Sequence, residues 1–96
     1  MSKLYVLKLE HDKYYVGRSN DPQRRFREHA DGRGAAWTRR HRPLAIVHTS
    51  SLSSTFDEDR CVKELMKKHG IDSVRGGAYV TETLDDAART SLQREV

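Results

Sequence analysis

Ninety-six residues make one small domain, residues 1–96, with room for a single core of useful size. Only 35% of them are hydrophobic and no run approaches the ~20 apolar residues of a spanning helix, which excludes a membrane-embedded protein. Eighteen Lys and Arg against 14 Asp and Glu leave a net charge of +4, and one cysteine, Cys61, excludes an internal disulfide framework.

In chain order, Leu4 to Leu9 is a nearly continuous apolar run and reads as a strand. The polar break Glu10-His11-Asp12-Lys13 contains no Gly, so it predicts a loop of three or more residues rather than a tight two-residue turn. Tyr14-Tyr15-Val16-Gly17-Arg18 then returns as an antiparallel strand. Cross-strand partners share a face, so Tyr5 and Tyr15 meet only if that loop has an odd length. Asp21 caps a helix with Pro22 in its first position, Pro22, Phe26 and Ala30 on one face, and Gly32 as its stop. A basic loop broken by Trp37 spans Arg33 to Arg42, and Pro43 leads into a third strand at Leu44 to Val47.

After a polar connector, Ser50 to Ser54, a second helix runs from Phe56 to His69 with Gly70 at its C′ position. Cys61, Val62, Leu65, Met66 and His69 form its inward stripe. A turn-rich stretch from Ile71 to Gly77 precedes a short extended piece, Ala78 to Val80. Thr83-Leu84-Asp85-Asp86 has the form of a capping box opening a last helix that ends near Glu95. The order predicts an α+β fold, a small three-stranded, mostly antiparallel sheet flanked by helices.

Charge is unevenly placed along this chain. Through Ala45 there are 11 basic residues against 5 acidic ones, and from Ile46 onward 7 against 9. A basic half on a small domain is the electrostatic footprint of a nucleic-acid binder. The amino-terminus lacks an apolar stretch of signal-peptide length, so an intracellular protein is expected.

Several residues invite two readings. Glu58 lies on the apolar side of the second helix, where a carboxylate either caps, as Thr55-x-x-Glu58 allows, or serves a functional site. Arg25 and His29 sit one helical turn apart and point the same way, either as part of a solvated basic face with Arg24 and Arg27 or as a paired site. Tyr5 and Tyr15 are ordinary strand aromatics or site residues. Gly17 inside a strand marks a bulge or the close approach of another backbone or a ligand. Trp37 among arginines either stacks on a base or packs as a lid on the core.

Taken in order, Lys3-Leu4-Tyr5, Tyr15-Val16-Gly17, Arg25 ten residues after Tyr15, His29 one turn later, and Glu58 followed by Val62 and Lys63 resemble the GIY-YIG nuclease family. The likeness runs from about Lys3 to Met66, and the stretch Gly32 to Thr38 resembles the loop of small single-domain members. It implies a GIY-YIG-like fold and a divalent-metal DNA endonuclease that cuts phosphodiester bonds by water attack. Glu58 would hold Mg²⁺, with Mn²⁺ as a substitute, and Asp59 is the alternative if the register shifts by one. Arg25 would neutralise charge on the phosphoryl oxygens. Tyr15, with Tyr5 nearby, would position or deprotonate the water, and His29 would relay a proton or hold a phosphate. Gly17, Arg18, Arg33, Trp37, Arg39, Arg40 and Arg42 would contact DNA. The competing functions are a basic nucleic-acid-binding module on the same fold with little or no catalysis, and a domain acting only through protein partners. A monomer or transient dimer, with a protein partner for targeting, is expected.

Overall fold

A computed structural model of the chain describes residues 2–54, 56–81 and 83–96. Its central strand, β1 (Lys3–Leu9), buries Leu4, Tyr5, Val6, Leu7 and Leu9. A strand covered on both faces reads as a continuous apolar run rather than an alternation, which is what the sequence has there. β2 (Lys13–Ser19) returns antiparallel after a three-residue 3-10 turn, Glu10–Asp12, in which His11 and Asp12 both take positive φ. The odd loop length sets the register Tyr5↔Gly17 and Leu7↔Tyr15, so Tyr5 and Tyr15 share a face.

β3 (Pro43–Ser51) pairs antiparallel with the other side of β1 and is longer than the apolar stretch Leu44 to Val47. β4 (Val74–Gly76) pairs parallel with β2, giving the order β3-β1-β2-β4. The sheet therefore has four strands, one more than the expected three. The extra strand lies in the supposed turn-rich stretch, while of Ala78 to Val80 only Tyr79 makes an isolated bridge, back to Gly76. Three residues ending in glycine carry no alternation to read, and their pairing with Tyr14, Tyr15 and Val16 is remote in sequence.

The helices are α1 (Pro22–Ala30), α2 (Ala36–Arg40), α3 (Asp57–His69) and α4 (Asp86–Glu95). As expected, the Asp21 carboxylate caps α1, accepting from the Arg24 N–H at 3.1 Å. The short α2 lies inside what reads as a basic loop, because five residues are too few to show a period. α3 begins one residue later than expected; the Asp57 carboxylate at its start accepts from the Ser53 and Ser54 N–H groups. Thr55, the other half of the capping box considered for Glu58, lies outside the described residues. At α4 the cap is Asp85 and not Thr83, its carboxylate accepting from the Ala88 N–H at 2.7 Å.

The sheet divides the core. Leu4, Val6, Val16 and Val74 pack with Val62 and Met66 of α3 and with Leu84 and Leu92 on one face. Tyr5, Leu7, Leu9 and Trp37, edged by Tyr15, Phe26 and Ile46, fill the other. Both tyrosines that open toward chemistry belong to this second, smaller and more polar face.

Candidate active site

Tyr5 and Tyr15 stand side by side with ring centroids 6.5 Å apart. His29 comes onto them from α1, its ring 6.2 Å from that of Tyr5 and 4.9 Å from that of Tyr15. Its Nε2 lies 2.9 Å from Tyr5 Oη and its Nδ1 2.8 Å from Thr38 Oγ1. At 1% exposure His29 is the buried residue of α1, whereas Phe26 is only half-buried. The solvated-face reading therefore fails for His29. A ring with both nitrogens satisfied can be buried without an orphaned polar atom.

Gly17 faces Tyr5 in the register, and a Cβ there would overlap the phenol. The close approach expected at Gly17 is thus to a side chain of the same chain. It is no bulge, since the register runs unbroken through it. Gly34 is set in the same way: a Cβ would run into the His29 imidazole.

Arg25 is half-buried beside this group, with its guanidinium 3.2 Å from Glu28 Oε1 and its charge close enough to lower the pKa of both tyrosines. Glu58, on the first turn of α3, completes the cluster. Its side chain is 18% exposed, lies 3.6 Å from Arg18 Nε, and is close enough to raise the pKa of both tyrosines. Arg18 itself is 54% exposed, at the mouth of the site. The neighbouring Asp59 turns elsewhere: its carboxylate accepts from the Ala78 N–H at 2.9 Å and helps hold the loop after β4. Between the two carboxylates of the sequence register, Glu58 is the one beside the tyrosines.

The titration behaviour follows from burial. Desolvation raises the Tyr5 pKa strongly, Tyr15 adds to this, and Arg25 offsets part of it. Tyr15 is also raised, by burial first and then Glu58, against the pull of Arg25. Burial and the Arg25 cation together hold His29 down to about 4, so it is neutral at neutral pH. Glu58 is raised, chiefly by burial, with Arg18 opposing. Of the two phenols, Tyr5 is only 1% exposed while Tyr15 is half-buried, so Tyr15 is the one that solvent reaches.

Trp37 does not offer a stacking surface. It is 4% exposed, its Nε1–H donates to the Tyr14 carbonyl at 3.0 Å, and the Arg75 guanidinium lies 4.8 Å over its ring. It is the lid on the smaller core, and the base-stacking reading falls because both the ring and its polar edge are already engaged. Arg33, Arg39, Arg40 and Arg42 are exposed, with Arg33 paired to Asp31 at 3.1 Å. Arg39 and Arg42 line a hollow of about 220 Å³ together with Gly32 and Thr38, next to His29. Thr38 and Arg75 were not legible as site neighbours from spacing. Gly34 was the one local hint that something lay close to that loop.

Among the described residues, no cluster of three or more His, Cys, Asp or Glu could hold a metal ion. Glu58 offers a hard carboxylate donor in the site, and its contact with Arg18 is longer than a direct hydrogen bond. That fits an ion that takes one protein carboxylate and fills its remaining positions with water and substrate oxygens, as Mg²⁺ does.

The family model described as the GIY-YIG catalytic domain matches residues 1–68. A UPF0213 protein of Halalkalibacterium halodurans is 34% identical over 85 residues, 83% of this chain and 90% of the relative. One from Halobacterium salinarum is 41% identical over 60 residues, 62% of this chain and 78% of the relative. A third, from Enterococcus faecalis, is 33% identical over 69 residues, covering 67% and 78%. No solved structure matches the chain at a significant level.

Proposed function

The chain belongs to the GIY-YIG nuclease family, and from that premise we propose that it is a divalent-metal-dependent endonuclease hydrolysing phosphodiester bonds of DNA. The observation that carries this reading is that Tyr15 of β2, Arg25 of α1 and Glu58 of α3, drawn from three elements, come close enough to act on one another, the Arg25 charge lowering the Tyr15 pKa and the Glu58 charge raising it. Glu58 would hold Mg²⁺ or Mn²⁺, and such an ion, when bound, supplies positive charge to the scissile phosphate and its leaving oxygen. Arg25 is always charged and is held by Glu28, so it can meet charge developing on the phosphoryl oxygens without reorganising. Tyr15 orients the attacking water and accepts from it. Because Tyr5 is buried behind His29, it does not take that part and instead supports Arg25. Arg18 at the mouth of the site, with Arg33, Arg39, Arg40 and Arg42, would track the DNA backbone.

The test is cleavage of plasmid and branched DNA with Mg²⁺ by wild type, Glu58→Ala and Asp59→Ala. We expect Glu58→Ala to lose cleavage by roughly 100-fold or more, at least the ~10- to 100-fold that removing even an outer-shell partner of a metal site costs, while keeping DNA binding. Asp59→Ala should cut. If Asp59→Ala is the inactive variant instead, the metal assignment moves by one residue. If every protein binds DNA and none cuts it with Mg²⁺ or Mn²⁺, the chain is a binding module.

A further inference from the structure

Behind Tyr5 runs a line of polar groups drawn from separate elements, and its direction can be worked out one proton at a time. Thr38 Oγ1 lies 2.8 Å from the Ala35 carbonyl oxygen, which can only accept. The Thr38 hydroxyl has one proton, so donating it there leaves its oxygen as an acceptor toward His29 Nδ1, also at 2.8 Å. His29 must then carry its hydrogen on Nδ1 and present a lone pair at Nε2. Tyr5, 2.9 Å from Nε2, donates to that lone pair. Its oxygen is thereby left as an acceptor, with the Arg25 charge near enough to act on it. The opposite tautomer would turn the Thr38 proton to Nδ1 and set two oxygen lone pairs 2.8 Å apart. The Ala35 N–H also points at Nδ1, but at 3.4 Å it is the longest contact of the set, against 2.8 Å on each side of Thr38 Oγ1. His29 and Thr38 are each 1% exposed, so water cannot substitute for either partner.

We infer that Thr38 is a positioning residue: it locks His29 as the Nδ1–H tautomer, and through His29 it fixes the Tyr5 hydroxyl as a donor to Nε2, leaving the phenol oxygen to face the Arg25 charge. Thr38 touches no substrate in this arrangement. It acts by fixing which end of each hydrogen bond is the donor, with the Ala35 carbonyl as the anchor that cannot be reversed. The consequence for cleavage rests on the nuclease reading of Arg25, whereas the tautomer does not.

The experiment is ¹⁵N NMR of the His29 imidazole at neutral pH in wild type, Thr38→Val and Thr38→Ser, with cleavage of branched DNA measured in parallel. Wild type and Thr38→Ser should show His29 protonated on Nδ1. Thr38→Val, which keeps the shape and removes the hydroxyl, should shift it toward Nε2–H. We expect Thr38→Val to lower kcat by roughly 10- to 100-fold with KM little changed, as when the acceptor facing a transition-state charge is turned away, and Thr38→Ser to restore most of it. A wild-type spectrum showing Nε2–H overturns the inference without any variant, even if Thr38→Val does not fold. So does a Thr38→Val protein that loses activity while His29 stays Nδ1–H, since Thr38 would then be structural only. If wild type cuts no DNA yet the tautomer shifts in Thr38→Val, the lock stands and the nuclease reading falls.

Discussion

A histidine sealed between a phenol and a threonine hydroxyl has to enter the fold without a proton. His29 titrates near its ordinary value of about 6.5 in the unfolded chain but is held down to about 4 when folded. Between those values the unfolded chain binds more protons, so stability rises with pH across that window. The contribution is fully present above the unfolded value and is lost as pH falls through the folded one. Two and a half pKa steps correspond to about 3 kcal/mol. Urea midpoints at pH 7.5 and pH 4 should therefore fall further apart in wild type than in His29→Gln, which has no imidazole to protonate. Equal losses in the two proteins would show that His29 is not the group responsible. The same residue explains its neighbours: Gly34 is needed so the loop can lie against the ring, and Gly17 so that the phenol of Tyr5 can reach it.

The short elements matter more to the site than their length suggests. Five residues of α2 place Trp37 over the smaller core and, next to it, Thr38 against His29. Three residues of β4 carry Arg75, which is buried at 1% exposure and donates to the carbonyls of Thr81, Ile71 and Val74 while covering the face of Trp37. Arg75 thus ties the fourth strand and the segment after it to the lid of the site. Arg75→Met keeps much of the apolar stem but strands those carbonyls, and it should cost about 2–4 kcal/mol. Amide exchange should accelerate most in β4 and around Thr81, with β1 little affected. A uniform change across the sheet would mean that Arg75 is no local tie.

At the scale of the whole molecule, the sheet separates two tasks. The larger apolar core, under α3 and α4, holds the fold, and the smaller face carries Tyr5 and Tyr15, with Glu58 coming to them from α3. The excess of basic residues before Ile46 coincides with the elements of that second face, β1, β2, α1, α2 and the residues between them. On the proposed function, binding of DNA through the basic residues of this half would release counterions, so affinity should fall steeply with salt. Replacing Arg39 and Arg42 together by Ala should reduce the slope of log K against log salt by about 2, one phosphate contact for each. An unchanged slope, measured by fluorescence anisotropy across a salt series, would remove both from the interface. No helix among the described residues is long and apolar enough to cross a membrane.

What the sequence determined by itself is what local signals can specify. The apolar run of Leu4 to Leu9, the Asp21-Pro22 helix start and the inward placement of Val62 and Met66 all follow from contacts within a few residues. Spacing alone left Tyr15, Arg25 and Glu58 open to ordinary structural readings, and it was their resemblance in order to the GIY-YIG pattern that grouped them. Only the tertiary structure decided the parallel strand at Val74–Gly76, the burial of Trp37 and the part played by Thr38. Trp37 is fixed by the Tyr14 carbonyl, 23 residues away, and His29 by Tyr5, 24 residues away. Whether a basic helix face is wet or a tryptophan is free depends on which remote polar atom satisfies it, and no periodicity encodes that partner.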